Sequence, residues 1–197
     1  MARTIGSDGK KTEAKLRARA LELIVRHGFE ALTMRQLAEA VGIQVGGLYH
    51  YFPDKQALLF ALIDTHLRDL LTLADATIGW ADPVKRLQSF VRFHILHHVG
   101  LRNASHVANN ELRSLNREHF ASVLKQRGLY EKKLRQILKD GQEAGQFEIV
   151  DLTLTTMAML AMLNEVCVWY RDGGAHSLDA ITNHFAAMTC RMAQPAL

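Results

Sequence analysis

Apolar residues recur along this chain every three or four positions and strictly alternating runs are almost absent, so the pattern predicts helix throughout. Leu16, Ala20, Leu23 and Ile24 share one helical face that stops at Gly28, giving a first helix over about 10–27. Met34, Leu37, Ala38 and Val41 stand at i, i+3, i+4 and i+7 between Thr33, suited to cap a helix start, and Gly42, suited to end one. The second helix therefore has only about two turns, and a third short one follows over about 44–51. After Pro53, Asp54 is placed as an N-cap, and Leu58, Leu59, Leu62, Ile63, His66, Leu67 and Leu70 form one stripe down a longer helix. "IGWADP" breaks the pattern. Helices resume over about 83–98, 105–116 and 118–144, then over about 153–171 and 177–192 on either side of the turn "GGAHS". The expectation is an all-α fold of about nine helices, with a three-helix unit over residues 1–53 and a larger helical body over 54–197. The first nine residues read as a mobile lead.

Composition narrows the class. At 197 residues and 48% hydrophobic, the chain can bury a core. No uninterrupted apolar run of about 18 residues occurs, and "MARTIGSDGKKTEAK" lacks the apolar centre of a signal peptide, so a cytoplasmic protein with no membrane partner is expected. Cys167 and Cys190 form no CxxC pair and are expected to be reduced and buried, without a disulfide or structural zinc. Of the net charge of +4, the first 55 residues hold nine Lys and Arg against six Asp and Glu, and the remainder fifteen against fourteen. A basic end on a near-neutral body suits docking on nucleic acid as well as it suits a solvated face.

The stretch "GIQVGGLYHYFPDK" separates those readings. Two short helices joined at Gly42 have the dimensions of a helix-turn-helix, whose second helix enters the major groove. Leu48 and Phe52 then face the core while Tyr49, His50 and Tyr51 lie towards the duplex. Gly46 and Gly47 leave bare backbone for close approach, although each costs a helix about 1 kcal/mol relative to alanine. Gln44 can reach a base edge or phosphate, Val45 offers an apolar contact, and Thr33, Arg35 and Lys55 stand where they can meet phosphates.

These residues resemble the DNA-binding signature of the TetR family of bacterial transcriptional regulators. The resemblance runs from about Lys15 to Leu62 and includes Gly28-Phe29, Thr33-x-Arg35, Ala38-x-x-x-Gly42, Leu48-Tyr49-x-x-Phe52 and Lys55. It implies an all-helical homodimer with a three-helix head on a ligand-binding body whose last two helices form the dimer interface. It implies a repressor that holds a palindromic, double-stranded DNA operator and is released by a small-molecule effector. The chain departs from the pattern in carrying Gln44 and Gly47 where members commonly have Ser or Thr.

From Glu111 to Ala187 the chain also resembles a subgroup associated with acyl-CoA thioesters and carboxylic-acid catabolism. On the residues alone, Met159, Met162 and Trp169 suit a pocket wall or equally a core or interface. His98, Arg102, His106 and Asn109 could recognise a polar ligand group or cap a helix corner. His94 stands at i, i+3 and i, i+4 from His97 and His98, the spacing of paired metal ligands, but no HExxH pattern or acidic third ligand accompanies it. An enzyme or sequestering protein using that cluster is the alternative. No base, nucleophile and orienter constellation supports an enzyme, and no cofactor is expected.

Overall fold

The computed structural model describes residues 7–79 and 82–193, which form nine α-helices, one 3₁₀ turn and no strand. The helices are α1 (Ser7–His27), α2 (Met34–Val41), α3 (Val45–Tyr49), α4 (Lys55–Thr77), α5 (Pro83–Gly100), α6 (Arg102–Asn110), α7 (Arg117–Glu143), α8 (Leu152–Trp169) and α9 (Leu178–Ala193), with the 3₁₀ turn at Leu112–Ser114. The lead expected to be mobile is helical from Ser7, and its first six residues lie outside the described ones. The helix expected over about 105–116 is divided differently. α5 runs on to Gly100, the chain bends at Leu101, and α6 ends at Asn110 before the 3₁₀ turn. The gap expected over about 99–104 thus narrows to Leu101, and the end expected at 116 moves back to Asn110.

Short polar side chains fix most helix starts. Thr33 and Gln36 form a capping box, with Gln36 N–H donating to Thr33 Oγ1 at 3.2 Å and Thr33 N–H to Gln36 Oε1 at 2.9 Å. Asp54 accepts from Ala57 N–H, Asn116 from His119 N–H and Asp151 from Leu154 N–H. Asp82 accepts from Val84 N–H, with Pro83 at the first helical position. At the end of α7, a Cβ on Gly141 would stand 1.9 Å from Phe147 Cδ2, so glycine is required there for the ring to lie on the helix.

Leu16, Ala20, Ile24, Phe29, Leu32, Leu37, Leu48 and Phe52 close the core of the three-helix head. In the body α5 lies at the centre, against α4, α7, α8 and α9. By length and composition α8 is apolar enough to cross a membrane, yet its inner face packs on α5 and α7 through Met159, Leu163 and Val166.

Polar contacts bind head to body. Arg17 Nη1 donates to Ala61 O and Thr65 Oγ1, and the Phe29 N–H donates to Glu111 Oε1 at 3.1 Å across 82 residues of sequence. Within the body, Gln56 at the start of α4 bridges Ser114 O and Asn116 N–H.

Candidate functional site

The turn between α2 and α3 depends on Gly42, which takes the left-handed conformation at φ 77° and donates its N–H to Ala38 O and Glu39 O. α3 is shorter than the expected span of 44–51, because Tyr51 and Phe52 turn back to donate to Leu48 O. Leu48 and Phe52 anchor it in the core. At its start Gln44 makes no side-chain capping bond and remains exposed. Neither Gly46 nor Gly47 has a positive φ, and a Cβ on either meets nothing within 4 Å, so nothing inside the fold requires glycine there. The tip of α3 is therefore a bare backbone surface, flanked by exposed Arg35, Gln44, Tyr49 and His50.

Other residues of the expected contact set have partners within the head. Thr33 spends its hydroxyl on the capping box. Lys55 Nζ lies 4.3 Å from the centre of the Phe29 ring and donates to Glu30 O at 3.0 Å, fastening the α1–α2 turn to the start of α4. Val45 and Tyr51 are half-buried against the core, and the Tyr51 hydroxyl lies 3.9 Å from where a Cβ on Gly9 would stand. The row of three rings is thus split, with Tyr49 and His50 outward and Tyr51 turned towards α1.

In the body, α4, α5, α6, α7 and α8 line a cavity of about 260 Å³ that is partly open to solvent. Its polar wall is built from His66 on α4, His94 and His98 on α5, Asn109 on α6, Arg127, Tyr130 and Glu131 on α7, and Asn164 on α8, while Leu67, Leu70 and Leu160 are among its apolar groups. Of the expected ligand residues, His98 and Asn109 line it. Arg102 instead donates to Tyr170 O, tying α6 to the end of α8. Met159 points into the core, Met162 packs beside it, and Met157 is the methionine at the cavity. Trp169 lies tilted beside Phe185, ring centroids 6.2 Å apart, and lines a separate groove on α9, and His106 lies outside the cavity wall. Helical periodicity places a residue on a face but does not say which helix that face meets, and for this reason the sequence missed Arg127 and Tyr130. His66 left a signal, a polar residue within the apolar stripe of α4.

The histidines are held neutral. Burial lowers His66 to about 4, helped by the neighbouring His97, His94 and Arg127. Burial also lowers His98 to about 3, with His66, His97 and Arg127 adding to it and the bond to His94 O opposing. His94, fully enclosed, is pushed well below its usual range by burial and then by His98, while Asn164 beside it pulls the other way. His98 Nδ1–H donates to His94 O at 2.8 Å, and His94 Nδ1 is hydrogen-bonded to the Tyr130 hydroxyl at 3.1 Å. The His94 and His98 rings stack with centroids 4.0 Å apart, so their spacing along α5 produces parallel rings rather than convergent ligands. Among the described residues no three His, Cys, Asp or Glu side chains are grouped to hold a metal. His66 Nδ1 and His94 Nε2 are buried without a hydrogen-bond partner.

Residues 16–62 match the family described as bacterial regulatory proteins, tetR family, and residues 81–193 match the tetracyclin repressor-like C-terminal domain. The HTH-type transcriptional repressor KstR2 of Rhodococcus jostii (strain RHA1) is 24% identical over 188 residues, covering 94% of this chain and 91% of its own. A bacterial regulatory protein in the tetR family from Rhodococcus RHA1 superposes with a TM-score of 0.89 at 26% identity, covering 95% of this chain and 99% of that one. AibR, solved in complex with isovaleryl coenzyme A and operator DNA, superposes with a TM-score of 0.82 at 24% identity, covering 90% of this chain and 97% of its own.

Proposed function

This chain belongs to the TetR family of bacterial regulatory proteins and is a ligand-responsive transcriptional regulator, and from that premise we propose that it is a cytoplasmic repressor that holds a palindromic operator as a homodimer. The observation that carries this reading is the tip of α3, where two glycines the fold does not need stand between exposed Gln44 and Tyr49. Bare backbone there permits close approach to a duplex, Arg35, Tyr49 and His50 contact phosphates or base edges, and Gln44 reads a base edge. Lys55 and Thr33 act chiefly by holding the helices in place, and Val45 and Tyr51 by packing. The head comprises residues 1–53 and the body 54–197.

The outer face of α8 supports the dimer. Leu154, Met157, Val168 and Trp169 stand exposed on it, with Met192 on α9. A self-complementary contact through these two helices sets two recognition helices about one DNA turn apart, roughly 34 Å. The effector is an apolar carboxylic-acid derivative, a class to which the isovaleryl coenzyme A of AibR belongs, and it occupies the histidine-walled cavity. α4 carries His66, Leu67 and Leu70 at the cavity and begins under the head, while α6 carries Asn109 to the cavity two residues before Glu111, which holds the Phe29 N–H. An effector that fits better when these helices shift displaces the head, with leverage limited to its difference in affinity between the two states.

The test is a titration of purified protein onto a labelled fragment of its own upstream region, at several salt concentrations and against unrelated DNA, followed by selection from random DNA. Competitor-resistant binding that weakens steeply with salt is expected. Failure to select any sequence would overturn the reading.

A further inference from the structure

We infer that the cavity in the body takes the free carboxylate of a small apolar acid, seated on Arg127 and met by the unpartnered face of His66. This rests on the reading of that cavity as the effector site.

Arg127 stands in the cavity wall half-buried and without a carboxylate in ion-pair distance among the described residues. Its Nη1 donates to Ala108 O at 3.2 Å and Asn109 Oδ1 at 3.0 Å, while Nε and Nη2 have no protein acceptor among those residues. A guanidinium cannot shed its proton in a protein, so one taken partly out of water needs an acceptor there. Glu131 lines the same cavity one turn along α7, but its carboxylate is bonded to Arg135. The three imidazoles in the cavity wall supply no positive charge, since burial keeps them neutral. One unbalanced cation thus faces the space, which suits one negative charge and disfavours two.

The second observation is His66. It is 4% exposed, lines the cavity, and its Nδ1 has no hydrogen-bond partner. Nδ1 is itself fully buried, so the ring meets the cavity with its other nitrogen, which in the tautomer that protonates Nε2 donates to an acceptor there. A carboxylate satisfies both groups, because two coplanar oxygens match the guanidinium fork and leave a lone pair for the imidazole. Leu67, Leu70 and Leu160 then receive the apolar body. At about 30 Å³ of liquid volume per water, 260 Å³ corresponds to roughly nine waters. A straight or branched acid of medium length fits that space, whereas a coenzyme A thioester has an uncharged carbonyl where the anion belongs.

Isothermal titration calorimetry of the intact protein without DNA, using octanoate, octanamide and octanoyl-coenzyme A, separates these chemistries, and hexanoate, decanoate and cyclohexylacetate vary the body. At least one of these carboxylates is expected to bind, with octanamide at least tenfold weaker than octanoate. Arg127→Gln should weaken the carboxylate at least tenfold and leave octanamide within a factor of about two. Arg127→Lys should restore part of the loss, and circular dichroism checks that each variant is folded. If Arg127→Gln does not fold, His66→Phe serves instead, with an expected loss of at least fivefold for the carboxylate alone. Equal affinity for octanoate and octanamide, no binding by any of the carboxylates, or a carboxylate affinity indifferent to Arg127 and His66 would overturn the inference. Release of operator DNA by octanoyl-coenzyme A while no free carboxylate binds would overturn it and leave the repressor reading intact. Arg127-dependent carboxylate binding that leaves DNA occupancy unchanged would support it and count against the cavity as the effector site.

Discussion

Two glycines on different helices carry opposite demands. Gly141 has Phe147 lying where its Cβ would be, whereas a Cβ on Gly47 would meet nothing within 4 Å. Gly141→Ala is expected to destabilise the fold by on the order of 1–3 kcal/mol through overpacking, with partial recovery when combined with Phe147→Ala. Gly47→Ala should raise stability by up to about 1 kcal/mol, because alanine is the better helix former. It should also weaken operator binding about tenfold by holding the duplex away from the backbone. Thermal denaturation and the DNA titration measure both, and a Gly47→Ala protein with unchanged DNA affinity would remove the role given to close approach. The same contrast shows what was legible at this scale. The two glycines of "VGGLY" were conspicuous in the sequence because no turn required them. The need for Gly141 depends on a ring six residues away folding back over α7, and helical spacing does not reveal that.

At the scale of the element, α8 unites properties that its sequence does not separate. It is apolar around much of its circumference, and only the packing of α5 and α7 shows which apolar residues are core and which are left bare. Met159 went inward, Met157 to the cavity and the outer face, and Trp169 to the end of the helix beside Phe185. Leu154, 63% exposed, and Val168, 51% exposed, belong to the face assigned to the second copy. Replacing both with glutamate should leave the helical content intact, convert the dimer to monomer in sedimentation velocity, and lower operator affinity by at least a hundredfold through loss of the second half-site. A double variant that remains dimeric would place the interface elsewhere. Helix starts were far more readable than helix faces: Thr33 and Asp54 cap where the local pattern put them. A cap acts within four residues of its own position, so the sequence contains it whole.

At the scale of the molecule, the buried histidines tie stability to pH. In the unfolded chain these imidazoles take up protons as the pH falls past about 6.5, whereas in the fold His66 stays neutral down to about 4 and His98 down to about 3. Their contribution is therefore fully present above pH 6.5 and is lost progressively as the pH falls towards 4, by on the order of 3 kcal/mol from His66 alone. A falling melting temperature across that window is expected, with a shallower fall in His66→Asn. A profile that is flat between pH 7 and 4.5 would show that the cluster opens to water.

The sequence by itself determined the helical class, the turn at Gly42, the bare tip of α3 and most helix starts, because each rests on interactions among residues a few positions apart. Its likeness to a family of DNA-binding regulators lies in the same local spacing. Tertiary structure alone decided that His66, His94 and His98 meet Arg127 and Tyr130 around one cavity, that Lys55 is drawn back onto Glu30, and that Glu111 reaches the head. Those contacts join residues as much as 82 positions apart, through faces whose partners are chosen by the packing of five helices. Periodicity gives each helix an inward side, but only the assembled bundle gives that side a neighbour.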